Sequence, residues 1–213
     1  MPADLFTPQD GAQAIDAGAV LLHGFALPHD AALVNEIHRI AERAPFRHMV
    51  TPGGFTMSVA MTNVGRLGWV TEASGYRYDE HDPQADKPWP AMPESFRMLA
   101  TLAAAQAGFA AFEPDACLIN CYEPGARMSL HQDKNEIDFA APIVSVSLGL
   151  PATFLFGGLK RKDRPARLPL VHGDVVVWGG PARLRFHGVA PLKEGSHPLT
   201  GRRRFNLTFR KAG

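Results

Sequence analysis

The chain is poor in cysteine, with two in 213 residues, Cys117 and Cys121, four apart in the stretch "ACLINCY". That excludes a disulfide framework and a thiolate zinc site, and leaves two buried thiols as the reading. It also lacks any apolar run near the roughly 18 residues a membrane-spanning helix needs. The first eighteen residues carry Asp4 and Asp10 where a secretory signal would carry basic residues, and they have no continuous apolar stretch, so a cytoplasmic protein is expected. Nor is there an excess of either charge: 22 basic residues against 21 acidic give a net charge of +1, so any nucleic-acid partner must be held by a local patch. Two such patches occur late in the chain, "KRKDRPAR" at 160–167 and "RRRFNLTFR" at 202–210.

What the sequence has is turns and strands. Twenty glycines and eighteen prolines punctuate short runs rich in Val, Ile, Phe and Thr: "SVAMTN", "ACLINCY", "PIVSVSLGL", "ATFLFGG", "DVVVWGG", "RLRFHGV" and "RFNLTFR". Two earlier segments read as helices. In "DAALVNEIHRIAERA" Asp30 can cap the start, and Leu33, Ile37 and Ile40 share a face. In "PESFRMLATLAAAQAG" Pro93 suits a first turn, Phe96, Leu99 and Leu102 fall on one side, and Gly108 suits the stop. Two early helices followed by many closely spaced strands predict a single α+β domain whose functional half is a β-sandwich or barrel of jelly-roll type.

The stretch "SLHQDKNE" places His131 and Asp133 two residues apart, one face of an extended strand, with Glu136 just beyond. A second His-x-Asp, His172 to Asp174 in "LVHGDVVVWGG", reads better as a turn aspartate ahead of a buried strand. His187 in "RLRFHGV" follows Asp133 by 54 positions (187 − 133), enough for a separate strand that returns across a barrel. Two imidazoles and one carboxylate form the facial triad that suits non-heme Fe(II) and leaves positions for reactants. In "RFNLTFR" alternation sets Arg204, Asn206, Thr208 and Arg210 against Phe205, Leu207 and Phe209, and in "LINCY" it groups Leu118, Asn120 and Tyr122. A solvated strand face is one reading of those polar rows. The other is a pocket in which guanidinium forks pair a small dicarboxylate, which beside a metal triad points to 2-oxoglutarate.

Several longer stretches carry a more specific likeness. "PDACLINCYEPGARMSLHQDKNE", "APIVSVSLGLPATFLFGG", "HGDVVVWGG" and "RFNLTFR", with "MVTPGGFTMSVAMTN" and "KPWPAMP" upstream, resemble the bacterial AlkB family of Fe(II)- and 2-oxoglutarate-dependent dioxygenases that repair alkylated nucleic acid. The likeness runs from about Pro45 to the end. It implies a double-stranded β-helix (jelly-roll) core at about 111–213, preceded by helices and a nucleotide-recognition segment within about 1–110. By resemblance, His131, Asp133 and His187 hold Fe(II), while Asn120, Tyr122, Arg204, Asn206 and Arg210 hold 2-oxoglutarate, with different arginines serving its two carboxylates. The implied reaction uses O2, converts 2-oxoglutarate to succinate and CO2, and releases the N-methyl group of N1-methyladenine or N3-methylcytosine as formaldehyde.

Such an enzyme must hold an unstacked base between flat side chains. "GWVTEASGYRY" offers Trp69, Tyr76 and Tyr78; the resemblance sets Trp69 against the base and Tyr76 on the nucleic-acid backbone, with Arg161 also at the substrate. Asn135 departs from the family, which carries a carboxylate there; an amide both accepts and donates hydrogen bonds, so the preference among alkylated bases is expected to differ. The partner expected is alkylated single- or double-stranded DNA, or RNA, with no membrane and no obligate protein partner. Two readings rival it: an iron oxygenase acting on a small molecule or protein side chain, and a jelly-roll binding module that consumes no 2-oxoglutarate. A zinc hydrolase built on the same triad leaves the paired arginines unexplained.

Overall fold

A computed structural model describes residues 11–213, so the acidic amino-terminal positions Asp4 and Asp10 lie outside the described residues. In chain order the elements begin with β1 (Ala12–Asp16), β2 (Ala19–Leu22), α1 (Asp30–Arg43), β3 (Arg47–Val50) and β4 (Thr56–Gly65). There follow β5 (Gly68–Glu72), β6 (Gly75–Asp79), the two-residue β7 (His81–Asp82) and β8 (Lys87–Pro88), and α2 (Glu94–Gln106). Apart from a 3-10 turn at Gly180–Ala182, the elements of the second half are strands: β9 (Ala116–Tyr122), β10 (Met128–His131), β11 (Ile143–Gly149), β12 (Ala152–Phe156), β13 (Ala166–Leu170), β14 (Val175–Trp178), β15 (His187–Val189) and β16 (Arg204–Arg210).

Two antiparallel sheets make the jelly roll: a major one in the order β1-β2-β14-β11-β16-β9-β4-β3 and a minor one in the order β10-β15-β12-β13. Period-2 alternation divides each central strand of the major sheet between two cores. Phe205, Leu207 and Phe209 of β16, with Cys117, Ile119 and Cys121 of β9, pack against Leu33, Ile37, Phe96 and Leu99 of the helices. On the other face Leu118, Tyr122, Ile143, Val176 and Trp178 meet Phe154, Phe156 and Val189 of the minor sheet. The helices back the major sheet; the minor sheet covers its front, and the polar rows of β9 and β16 lie between the sheets.

Both helices form where expected, with two differences of detail. Asp30 does not cap α1 but is its first residue, and its carboxylate takes a 2.9 Å hydrogen bond from His172. On α2, Leu102 is 56% exposed while Ala100, Ala103 and Ala104 are buried beside Phe96 and Leu99. The small residues let the helix lie close to the sheet, and a 3.6-residue period places position 102 outside the buried stripe. Among the described residues, no helix is long and apolar enough to cross a membrane.

Candidate metal and co-substrate site

His131 ends β10 and faces His187, the first residue of β15, as a cross-strand pair with ring centroids 4.4 Å apart. Four positions of β10, Met128 to His131, run against three of β15, Val189 to His187, so a bulge re-aims His131 where the metal ligands must converge. Gly188 permits the approach, since a Cβ there would lie 2.6 Å from the Met128 carbonyl oxygen. The strand stops at His131, so Asp133 is set by an irregular turn rather than by strand alternation. Gln132 points away and donates to the Leu184 carbonyl.

One ligand atom from each of His131, Asp133 and His187 lies within 4.8 Å of the others, separations a single divalent ion can bridge. The two Nδ1 atoms donate to backbone carbonyls, His131 to Ser129 at 2.9 Å and His187 to Arg185 at 3.1 Å. Both Nε2 lone pairs therefore face Asp133, at 3.6 and 3.7 Å. Burial, then the neighbouring His131, pushes His187 down to about 3, which keeps it neutral and ready to ligate. For Asp133, burial acts upward, but Arg210, His187 and His131 outweigh it and hold the carboxyl far below its ordinary range. Two imidazoles and one carboxylate are a donor set that fits Fe(II).

Beside the triad the polar rows of β9 and β16 line one cavity, which takes in Asn120, Tyr122, Arg204, Asn206, Thr208 and Arg210 together with His131 and His187. All six are under 7% exposed, so the solvated-face reading is overturned. Asn206 donates to the Ser145 hydroxyl at 2.8 Å and accepts from Thr208 at 3.0 Å and Asn120 at 3.2 Å. Arg210 donates to Asp133 through Nε at 2.9 Å and contacts the same oxygen through NH2 at 2.7 Å. Arg204 differs. It is 1% exposed, donates to the Ser147 hydroxyl at 3.0 Å with Tyr122 beside it, and leaves Nε and NH1 without a partner in hydrogen-bond geometry, as Asn120 leaves Oδ1. Burial lowers the Arg204 pKa and pushes the Tyr122 hydroxyl, under the same guanidinium, up to about 12. A buried cation whose free N–H groups face a cavity fits a carboxylate ligand.

The remaining expected residues are also placed. Trp69 of β5 and Tyr76 of β6 stack with centroids 5.4 Å apart and planes 17° apart, Tyr76 being 45% exposed. Asn135 is exposed and reaches the Tyr76 carbonyl at 3.5 Å, so it borders the same hairpin. Arg161 lies over Phe186, the neighbour of His187, at 5.9 Å. Tyr78 is half-buried: its hydroxyl donates to Glu136 at 2.6 Å, and its ring packs on Leu67, Ala116 and Ala212. The second His-x-Asp is a turn, with Asp174 accepting from Gly24 and Val171 N–H groups. Sequence reasoning did not assign roles to Ser145, Ser147 and Arg183. The two serines alternate with valines in "IVSVSLG", a period-2 signal that was available, whereas Arg183 stands in a turn with no periodicity to mark it.

A jelly roll that encloses two histidines, one aspartate and a buried arginine-lined pocket defines a metal-dependent oxygenase that uses a small carboxylate co-substrate. The 2OG-Fe(II) oxygenase superfamily model matches residues 18–210, and the chain belongs to that superfamily. It is 61% identical over 211 residues to the alpha-ketoglutarate-dependent dioxygenase AlkB of Escherichia coli (strain K12), spanning 99% of this chain and 98% of that protein. It is 34% identical over 58% of its length to the nucleic acid dioxygenase ALKBH1 of Homo sapiens, 32% of that protein. The solved structure of OsALKBH1 superposes with a TM-score of 0.82 at 28% identity, covering 94% of this chain and 99% of that one. The protein is accordingly an Fe(II)- and 2-oxoglutarate-dependent dioxygenase that uses O2.

Proposed function

We propose that the protein removes N-alkyl groups, as in N1-methyladenine and N3-methylcytosine, from single- or double-stranded DNA and from RNA in the cytoplasm. The observation that carries the reading is Arg204, a buried guanidinium with two unpartnered N–H groups beside the triad, which matches one end of a dicarboxylate. Likeness to AlkB and to a human nucleic acid dioxygenase supports the substrate class. Iron and 2-oxoglutarate supply the oxidation, which yields succinate, CO2 and formaldehyde and restores the base.

The chain's own contribution is placement. His131, Asp133 and His187 hold the metal, and Arg204 with Asn206, Asn120 and Tyr122 takes one end of the co-substrate. Arg210 steadies Asp133 and serves the other end. Trp69 stacks on the base, Tyr76 meets the nucleic-acid backbone, Asn135 reads the base edge, and exposed Arg161 lies at the substrate. No side-chain nucleophile is required. Within one domain, the hairpin before residue 110 grips substrate and the strands after it carry the chemistry.

The test is formaldehyde and succinate release from a single-stranded oligomer containing N1-methyladenine, with Fe(II), 2-oxoglutarate and ascorbate, beside a His131→Ala control. Equal release of both products by the parent alone is expected. Succinate without formaldehyde moves the substrate to a small molecule or protein, and neither product leaves only a binding module.

A further inference from the structure

Glu136 is 6% exposed and lies outside the triad, yet four charged or hydroxyl groups converge on or near it. Its Oε1 accepts from Tyr78 at 2.6 Å and faces Arg210 Nε at 3.4 Å. Its Oε2 meets Arg183 NH2 at 3.1 Å, a charge contact outside hydrogen-bond alignment. Arg183 donates through NH1 to the Asp133 carbonyl at 2.8 Å and through Nε to the Ala141 carbonyl at 3.0 Å. Two carboxylates and two guanidiniums thus alternate around the loop that carries the metal aspartate. The remaining member, Tyr78, comes from the hairpin. On β6, Tyr76 and Tyr78 are two apart and share a face, and Tyr76 stacks on Trp69.

We infer that the Tyr78–Glu136 hydrogen bond is a coupling element that makes substrate grip depend on the state of the metal site, with Tyr78 and Glu136 as positioning residues. The inference rests on the nucleic-acid reading above. A metal held by Asp133 fixes Asp133 and, through two contacts, Arg210. Arg210 and Arg183 fix Glu136, whose Oε1 then seats Tyr78 and with it the height of the Trp69–Tyr76 pair. Linkage makes the effect reciprocal: whatever the metal gives to oligomer affinity, the oligomer gives to metal affinity.

The probe is binding, not turnover. The affinity of a single-stranded N1-methyladenine oligomer is measured by fluorescence anisotropy without metal and with Mn(II) plus 2-oxoglutarate under nitrogen, for the parent and Tyr78→Phe. Mn(II) affinity is measured on each protein alone. The parent should bind the oligomer about fivefold or more tightly when loaded, within the usual range of such couplings. In Tyr78→Phe that gain should shrink below about twofold while Mn(II) affinity of the free protein stays close to the parent's; the unfolding midpoint falls in either case, because the mutation removes a hydrogen bond to buried Glu136. A purely structural Tyr78 would lower the midpoint and leave the gain intact, which overturns the inference. If the parent binds with a gain and Tyr78→Phe retains it, the coupling alone fails; if the parent does not bind the oligomer, the functional reading fails and takes the coupling with it.

Discussion

Arg204 is destabilising by itself: its charge has left water, and two of its donors find no acceptor in the protein. Leaving a buried donor unmade costs about 1–3 kcal/mol, more for a charged group. Arg204→Met, which keeps the apolar stem, is therefore expected to raise the unfolding free energy of the co-substrate-free protein by about 1 kcal/mol or more in urea titration. The same change should raise KM for 2-oxoglutarate at least about a hundredfold, a loss of roughly 3 kcal/mol of charge-assisted bonding. His187 sets the acid limit. Its pKa is lowered on folding, to about 3, so the unfolded chain binds an extra proton below the ordinary histidine value. Its stabilising contribution is present above about pH 6.5 and is lost as pH falls towards 3, with a slope near 1.4 kcal/mol per pH unit for one proton. Urea midpoints of the metal-free protein at pH 7 and 5 should show that slope, and His187→Asn should flatten it. Asn135 tests discrimination at one atom. Asn135→Asp should raise the activity ratio of N1-methyladenine over N3-methylthymine, because a carboxylate cannot donate to a base carbonyl; oligomers carrying either lesion measure it, and an unchanged ratio refutes it.

At the scale of elements, alternation was the dependable signal. β9 and β16 could be read face by face because one side of each is apolar core and the other, Ala116 apart, lines the cavity. The same rule was silent on β1, whose residues are exposed or half-buried, and on the hairpin β5–β6, whose polar sequence reads as loop. Asp133 was placed beside His131 by strand spacing, but the strand ends first, and a turn held by Arg183 and Arg210 does the work. Helix α2 buries Leu99 but turns Leu102 outward. Leu99→Ala should cost about 2–5 kcal/mol in urea unfolding, whereas Leu102→Ala, on the exposed face, should change stability by about 0.5 kcal/mol or less.

For the whole molecule, a net charge of +1 gives little long-range attraction for nucleic acid, so binding must depend on where the basic residues sit. Lys160, Arg161, Lys162 and Arg164 are exposed in the loop between β12 and β13, and Arg167 is exposed at the start of β13. Each phosphate contact on a single strand contributes about 0.7 to the slope of log affinity against log salt. Replacing Lys160, Lys162 and Arg164 with Gln should lower that slope by about 1–2, read by anisotropy between 50 and 200 mM salt. What composition could not show is how the sheets meet. Glu136 and Arg183 are 47 positions apart (183 − 136) and become neighbours only when strands from both halves of the roll close on each other.

The divided faces of β9 also bear on the working life of the protein. A centre that generates a strong oxidant endangers any thiolate within reach, since sulfur is the side-chain atom most readily consumed. Cys117 and Cys121 are only a strand's thickness from the cavity, but they point to the helix side, while Leu118, Asn120 and Tyr122 face the iron site. Burial raises both thiols, Cys121 to about 11, and leaves them protonated and inert. Backbone and β-sheet thus shield both thiols, and idle turnover should spend itself on what lines the cavity, the Met128 thioether and the rings of Tyr122, Phe154 and Trp178.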